Sequence, residues 1–424
     1  METDTSSLNL SSELLGLSDT EVMKVKMNAA KTEITISVKS TKESVDCRIC
    51  GRATNGHGLG RHLRLRHLPL LGKRTFIEIK PRRGICRHCK DGPTTTEVLD
   101  WYKVHSTQSK AYEQHLLFEL VNSTVADVSA KESVDYHVID ELIDRMVETE
   151  IDYSTISSLD VLGLDEISLK KGYQDFVTLV TYRRNEEVAI LGALKGRKKA
   201  DIIDFLRGIP NRLKKTVNAI CCDLYDGYLS ACKKVFRKTP VVADRFHVRK
   251  LYHRSLVQLR KSELKRLKKS LSSAEYSRLK PAIALCRKQK DYFTDKEKTI
   301  VEIFFKHSPK LKMAYHLSRQ LSGIFDSQIT RELADEKMRE WIASVRESEL
   351  TCFDHFVKTL LNYQEEILNY FIGRHNSGFV EGFNNRVKVL KRRCYGLSNV
   401  ARLFQRIIID TLGINRFAPD VVAF

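Results

Sequence analysis

Between residues 158 and 247, apolar β-rich runs are repeatedly stopped by acids, and this pattern restricts the fold more than any other feature of the chain. SLDVLGLDE is an apolar run that ends in carboxylates, followed by the turn KKG. DFVTLVTY and EVAILGAL, separated by RRN, read as two further strands of a meander. KKADIIDFLRGI has helical periodicity, TVNAICCD reads as a buried strand, DGYLSACKKVF as a helix and PVVAD as another buried strand. FHVRKLYH opens the next helix. A meander followed by strand–helix alternation predicts a mixed α/β sheet.

Acids at the ends of buried strands lie at the edge of such a sheet, where ligands collect. Asp165 closes VLGLD in this reading, and Asp223 closes NAICCD. A third acid comes late. In HNSGFVEGFNNRVKVLKRRCYGL (375–397), Glu381 heads a helical stripe continued by Asn385, Lys388 and Arg392, while Phe379, Phe383, Val387 and Leu390 form an apolar stripe. Three carboxylates brought together repel unless cations neutralise them, and hard oxygen ligands suit Mg²⁺ or Mn²⁺. Two such ions about 3.5–4 Å apart would serve phosphodiester transfer. Each acid also has a plainer reading: Asp165 in a turn with Glu166, Asp223 paired with a lysine, and Glu381 favoured by its helix dipole.

The flanking segments point to a polyanionic partner. The 424 residues carry a net charge of +19, which is the electrostatic footprint of a nucleic-acid binder. Residues 61–90 hold ten Lys/Arg against one acid, and residues 251–300 hold fourteen against five. In front lie Cys47-x2-Cys50 and Cys86-x2-Cys89, two knuckles that can offer four thiolates to one structural Zn²⁺. Between them Arg61, Arg64, Arg66, Lys73 and Arg74 are candidate phosphate contacts; His57, His62, His67 and His88 read as phosphate-facing or structural rather than as ligands. The run from Thr124 through Ser129 and Ser133 to VIDELIDRMV has the form of a helix-turn-helix, a form that a helical hairpin linker shares. Residues 250–370 show no convincing strand, only charged helical segments, in which Trp341 reads as packed rather than as stacking on a base. Ten cysteines, two of them adjacent, form no disulfide framework and fit a reducing compartment. No apolar run is long enough to span a membrane, and METDTSSLNLSSELLG does not read as a secretion leader.

GLDEISLKKG, CCDLYDGYLSACKKVF, VVADRFHVRK and HNSGFVEGFNNRVKVLKRRCYGLSNVARLFQRII, in that order behind two CxxC knuckles, resemble the DDE transposases of the bacterial insertion-sequence group called ISL-three. The resemblance spans about 45 to 410. It implies an RNase H-like core whose catalytic, metal-binding triad falls on Asp165, Asp223 and Glu381, with two Mg²⁺ or Mn²⁺ ions per active site. It also implies a helical insertion before the glutamate, and an N-terminal zinc ribbon plus helix-turn-helix for the element ends. Asn385, Lys388, Lys391, Arg392 and Arg393 would then grip the DNA strand at the ions. Asp244 and His247 match an Asp-x-x-His element of related families, as accessory groups or as a structural pair. The CCDLYDGY segment holds a second acid, Asp226, so the choice of Asp223 rests on its place at the strand end.

The expected organisation is an arm over 1–43, a zinc-ribbon module over 44–100 and a helix-turn-helix over 105–150. The core follows over 155–250 and 371–424, interrupted by a helical insertion over 251–370. The expected partners are double-stranded DNA, as terminal inverted repeats and target, and further copies of the chain assembled on DNA, with no membrane. The expected location is the bacterial cytoplasm, at the nucleoid. A DNA-binding regulator and an RNase H-like nuclease without strand transfer are the rival readings.

Overall fold

The computed structural model describes residues 11–169, 175–277, 279 and 294–418. The turn read at 170–172 lies outside them, as do residues 1–10 of the expected arm and parts of the expected helical insertion, 278 and 280–293. Two units pack internally, one formed by the described residues up to Glu148 with those from Gln405 onward, the other by Thr149–Phe404.

In the first unit, strands β1 (Thr20–Met27), β2 (Glu33–Ser40), β4 (Leu63–Leu70) and β5 (Lys73–Ile79) form a sheet of order β1-β2-β5-β4. The expected arm therefore supplies two strands. Strict alternation in EITISVKS buries Ile34, Ile36 and Val38 on one face, against Leu65, Ile77, Ile79 and Trp101. A smaller sheet joins β3 (Asn55–Leu59), β6 (Arg82–Ile85) and β7 (Thr94–Thr96) and carries the cysteine knuckles at its ends. The long gap between the knuckles is thus explained, because β4 and β5 leave the small sheet to build the larger one.

Helices α1 (Lys110–Glu119), α2 (Val125–Glu132) and α3 (Tyr136–Met146) complete this unit. Thr124 caps α2 by accepting from Asp127 N–H, and Ser133, in the left-handed region at φ 52°, turns the chain towards α3. The end of the last helix packs here too. Arg406, 1% exposed, donates to the carbonyls of Leu120 and Ser123 at the end of α1, at 3.0 and 2.6 Å.

In the second unit the predicted runs become β8 (Val161–Ser168), β9 (Phe176–Arg184), β10 (Glu187–Lys195), β11 (Ala219–Cys222) and β12 (Val241–Ala243). Their order is β10-β9-β8-β11-β12. The first three strands pair antiparallel, whereas β8, β11 and β12 run parallel. This is the expected mixed sheet. Its inner strands are apolar on both faces, as a sheet covered on both sides requires. Ile220 and Cys222 face a core with α4 (Lys199–Gly208), α5 (Asn211–Lys214) and α6 (Asp226–Val235); Ala219 and Cys221 face the other core, with α7 (Arg245–Ser270) and the helical block.

The helical block includes Asp295–His307, Pro309–Asp326 and Arg331–Glu347. Trp341 is 3% exposed, donates its indole N–H to Leu317 O at 2.7 Å, and meets Phe353 and Phe356 edge-on. It packs, as read from the sequence. No described helix is long and apolar enough to cross a membrane.

Candidate active site

Parallel pairing of β8 with β11 sets Leu164 opposite Cys222. The next residue on each strand is an aspartate, so Asp165 and Asp223 stand side by side at one edge of the sheet. One detail differs from the sequence reading. Asp165 does not close its strand: β8 continues to Ser168 through pairing with β9. The parallel partner β11 ends first, and that creates the edge.

Asp226 sits in the first turn of α6 and is exposed, a place where the helix dipole favours an acid. Asp244 caps α7 by accepting from Phe246 N–H, and its own N–H donates to Cys222 O at 3.0 Å. His247, one turn into α7, has Nδ1 2.9 Å from Asp223 Oδ1 and 3.0 Å from Asp244 Oδ2. Bonds to Asp223 and then to Asp244 raise the imidazole to about 10, so it is a cation that bridges the two carboxylates at neutral pH. The Asp-x-x-His pair is therefore in contact with the second aspartate.

Burial, and then the charge of Asp223, push Asp165 up to about 6. Two neighbouring carboxylates in a partly dry edge favour an added cation. Among the described residues, two groups place three or more Cys, His or acid ligand atoms within 4.8 Å of one another: the four N-terminal cysteines, and Asp223 with Asp244 and His247. Asp165 and Glu381 belong to neither group.

Glu381 is exposed in the first turn of the helix Gly378–Arg393. That helix lies directly on β8. The apolar stripe read from the sequence is nearly right, but Val380 rather than Phe379 heads it, and Asn384 joins it. Asn384 donates its amide to Asp165 Oδ2, one helical turn beyond Glu381. Gly163 permits this approach. A Cβ there would overlap Val380 Cγ2 and come within 2.9 Å of Phe379 Cζ. Gly163→Ala should therefore push the helix away and lower stability by about 1–3 kcal/mol, as read by thermal unfolding.

The candidate DNA contacts separate into two kinds. Asn385, Lys388 and Arg392 are exposed, as are Arg61 and Arg74; Lys73 and Arg393 are half-buried. Lys391 instead donates to the carbonyls of Ser168 and Leu169, clamping the acid helix to the end of β8. Arg64 lies over the Phe76 ring at 3.7 Å and pairs with Glu33 and Glu78. Arg66 is held between the rings of Phe76 and Tyr112 and faces Glu132 at 3.9 Å. All three side chains thus have partners within the protein. His67 is also internal, bonded to Ser109 Oγ and Leu15 O.

The four cysteines are arranged for a metal. Cys47 Sγ lies 3.9 Å from Cys89 Sγ, and Cys50 Sγ lies 3.7 Å from Cys86 Sγ. A tetrahedron with Zn–S bonds of about 2.3 Å has edges of about 3.8 Å. Each knuckle turns an N–H onto its first sulfur, Ile49 onto Cys47 and His88 onto Cys86, both at 3.4 Å. Backbone N–H groups of Cys50 and Ile49 lower Cys47 to about 6, whereas the other thiols push Cys89 up to about 12. Four sulfurs this close ionise together only around a cation.

A mixed sheet with acids side by side where its parallel strands end, and a helix bearing a further acid laid on the same strand, defines an RNase H-like core. Residues 162–407, more than half of the chain, match the transposase family of the ISL-three DDE group, and the chain belongs to that family. It is also similar to the transposase for insertion sequence element IS1001 of Bordetella parapertussis, with 22% identity over 375 residues, 88% of this chain and 90% of that one.

Proposed function

We propose that the chain is the transposase of an insertion sequence, which binds the ends of its element and then cuts and joins DNA at Asp165, Asp223 and Glu381. The observation that carries this reading is the placing of Asp165 beside Asp223, each one residue past the Leu164–Cys222 pair, with the Glu381 helix bonded to Asp165 through Asn384. The three acids would hold Mg²⁺ or Mn²⁺, two ions per site. These ions would neutralise the phosphate, activate a water or 3′-hydroxyl and stabilise the leaving oxygen. Asp165 and Asp223 supply one half of the cage from the sheet, and Glu381 supplies the other from the helix. His247 holds Asp223 in orientation, anchored in turn by Asp244. Asn385, Lys388 and Arg392 lie on the outer face of the same helix, where they meet the phosphates that flank the cut.

In the first unit, Cys47, Cys50, Cys86 and Cys89 hold one structural Zn²⁺, and the module presents Arg61, Lys73 and Arg74 to the element end. The helices α2 and α3 act as the helix-turn-helix. The enzyme works as a homo-oligomer that brings two ends together. Incubating the protein with labelled element ends, target plasmid and Mg²⁺ tests this. Cleaved ends joined covalently to target support it; cleavage without joining points to a nuclease, and binding without cleavage to a regulator.

Phosphate contacts make a further prediction. End affinity should fall log-linearly with salt, with a slope of about −0.9 per phosphate neutralised. Arg74→Ala should reduce that slope by roughly one and leave the melting temperature unchanged. Arg66→Ala should instead lower the melting temperature, since it removes a cation packed between two rings. A gel-shift salt titration and thermal unfolding of both variants separate the two roles.

A further inference from the structure

The helix Gly378–Arg393 buries Val380, Phe383, Asn384, Val387 and Leu390. Four of these are apolar, and the fifth is an amide only 2% exposed. A carboxylate can only accept, so Asn384 turns its NH₂ to Asp165 Oδ2 and leaves its Oδ1 pointing elsewhere. That Oδ1 is buried and meets no hydrogen-bond partner among the described residues. A buried acceptor without a donor weakens folding, and an apolar side chain of similar shape would pack better. The orphan Oδ1 offsets what the bond to Asp165 contributes, so net stability alone does not explain an asparagine at this position.

Its effect on Asp165 does. The other carboxylate oxygen, Oδ1, accepts from Glu166 N–H at 2.7 Å. One donor comes from the strand and one from the helix, so together they fix the rotation and tilt of the carboxylate. The second donor sits one turn from Glu381, on a helix that Gly163 allows to touch β8. We propose that Asn384 is a positioning residue that locks the Asp165 carboxylate and ties it to the helix carrying Glu381, setting the separation of the two acids for the ions. This rests on the triad reading above.

The test compares full-length Asn384→Leu and Asn384→Ser with Asp165→Asn and the parent. Mn²⁺ binding is followed by calorimetry, end cleavage is measured against Mn²⁺ concentration, and thermal unfolding is recorded for each protein. Asn384→Leu should melt within a few degrees of the parent, because the lost donor to Asp165 and the removed orphan Oδ1 offset one another. Its Mn²⁺ affinity should fall about tenfold to a hundredfold, the range for loss of a group that orients a ligand. Cleavage should fall by at least as much at low Mn²⁺ and recover in part at saturating Mn²⁺. Asn384→Ser, which keeps a small hydroxyl donor, should lie between the two and covers the case in which leucine fails to fold. Parent-like Mn²⁺ affinity and cleavage in Asn384→Leu would overturn the proposal, and so would a lower melting temperature with parent-like metal dependence. If Asp165→Asn itself binds Mn²⁺ and cleaves normally, the triad reading falls instead. If Asp165→Asn fails while Asn384→Leu behaves as the parent, only the positioning role falls.

Discussion

Asp223→Asn should lose end cleavage and joining by about a thousandfold or more, equivalent to roughly 4 kcal/mol of transition-state stabilisation, while end binding stays within about twofold of the parent. The substitution keeps the shape of the side chain and removes its charge. In this account that charge serves the ions, and the reaction depends on placing them and neutralising the phosphate. Binding survives because its candidate contacts lie in other parts of the chain, including Arg61 and Arg74. Asp226→Asn is the control. Asp226 begins α6, beyond the end of β11, and is exposed, so its loss should cost about 0.3–1 kcal/mol of helix stability and leave cleavage near normal. Cleavage and gel-shift assays on both variants read this directly. Loss in Asp226→Asn with normal activity in Asp223→Asn would move the site three residues along the chain.

The second large effect concerns the cysteines. Metal analysis should find about one zinc per chain, and Cys86→Ser should unfold the small sheet that holds the knuckles. Structural zinc binds its peptides with about 10–16 kcal/mol at neutral pH, more than a sheet of three short strands can supply by packing. The strands β3, β6 and β7 are three to five residues long, and every residue of β3 is exposed. Loss of end-specific binding should accompany the unfolding. A metal-free protein that keeps this sheet, seen by its amide protection, would contradict the assignment.

The core strands were legible because continuous apolar runs stopped by acids have few other solutions in a two-sided sheet. The strand end at Asp165 was not, since it depends on where a partner stops: β11 ends beside Leu164, while β9 carries β8 on to Ser168. Asn384 and Asn385 are adjacent, and helical periodicity leaves open which one turns inward. A shift of one position, from Phe379 to Val380, decides it and brings in the amide that holds Asp165. Arg64 and Arg66 sit in a basic run and read as phosphate contacts. Their partners Glu33, Glu78 and Glu132 come from two other strands and a helix, so no local pattern reveals them. Lys391 likewise reads as a phosphate contact, and no local pattern reveals its acceptors, the carbonyls of Ser168 at the end of β8 and of Leu169 just beyond it. Asp244 and His247 stood out as a pair, but their contact with Asp223 depends on β12 lying beside β11.

The most direct measurement is anomalous scattering from crystals of the protein with its element end, soaked in Mn²⁺. Two Mn²⁺ peaks about 3.5–4 Å apart are expected, with Asp165, Asp223 and Glu381 all in ligand contact with them. Peaks held by Asp223, Asp244 and His247 alone, with Asp165 and Glu381 away from the metal, would contradict the triad reading.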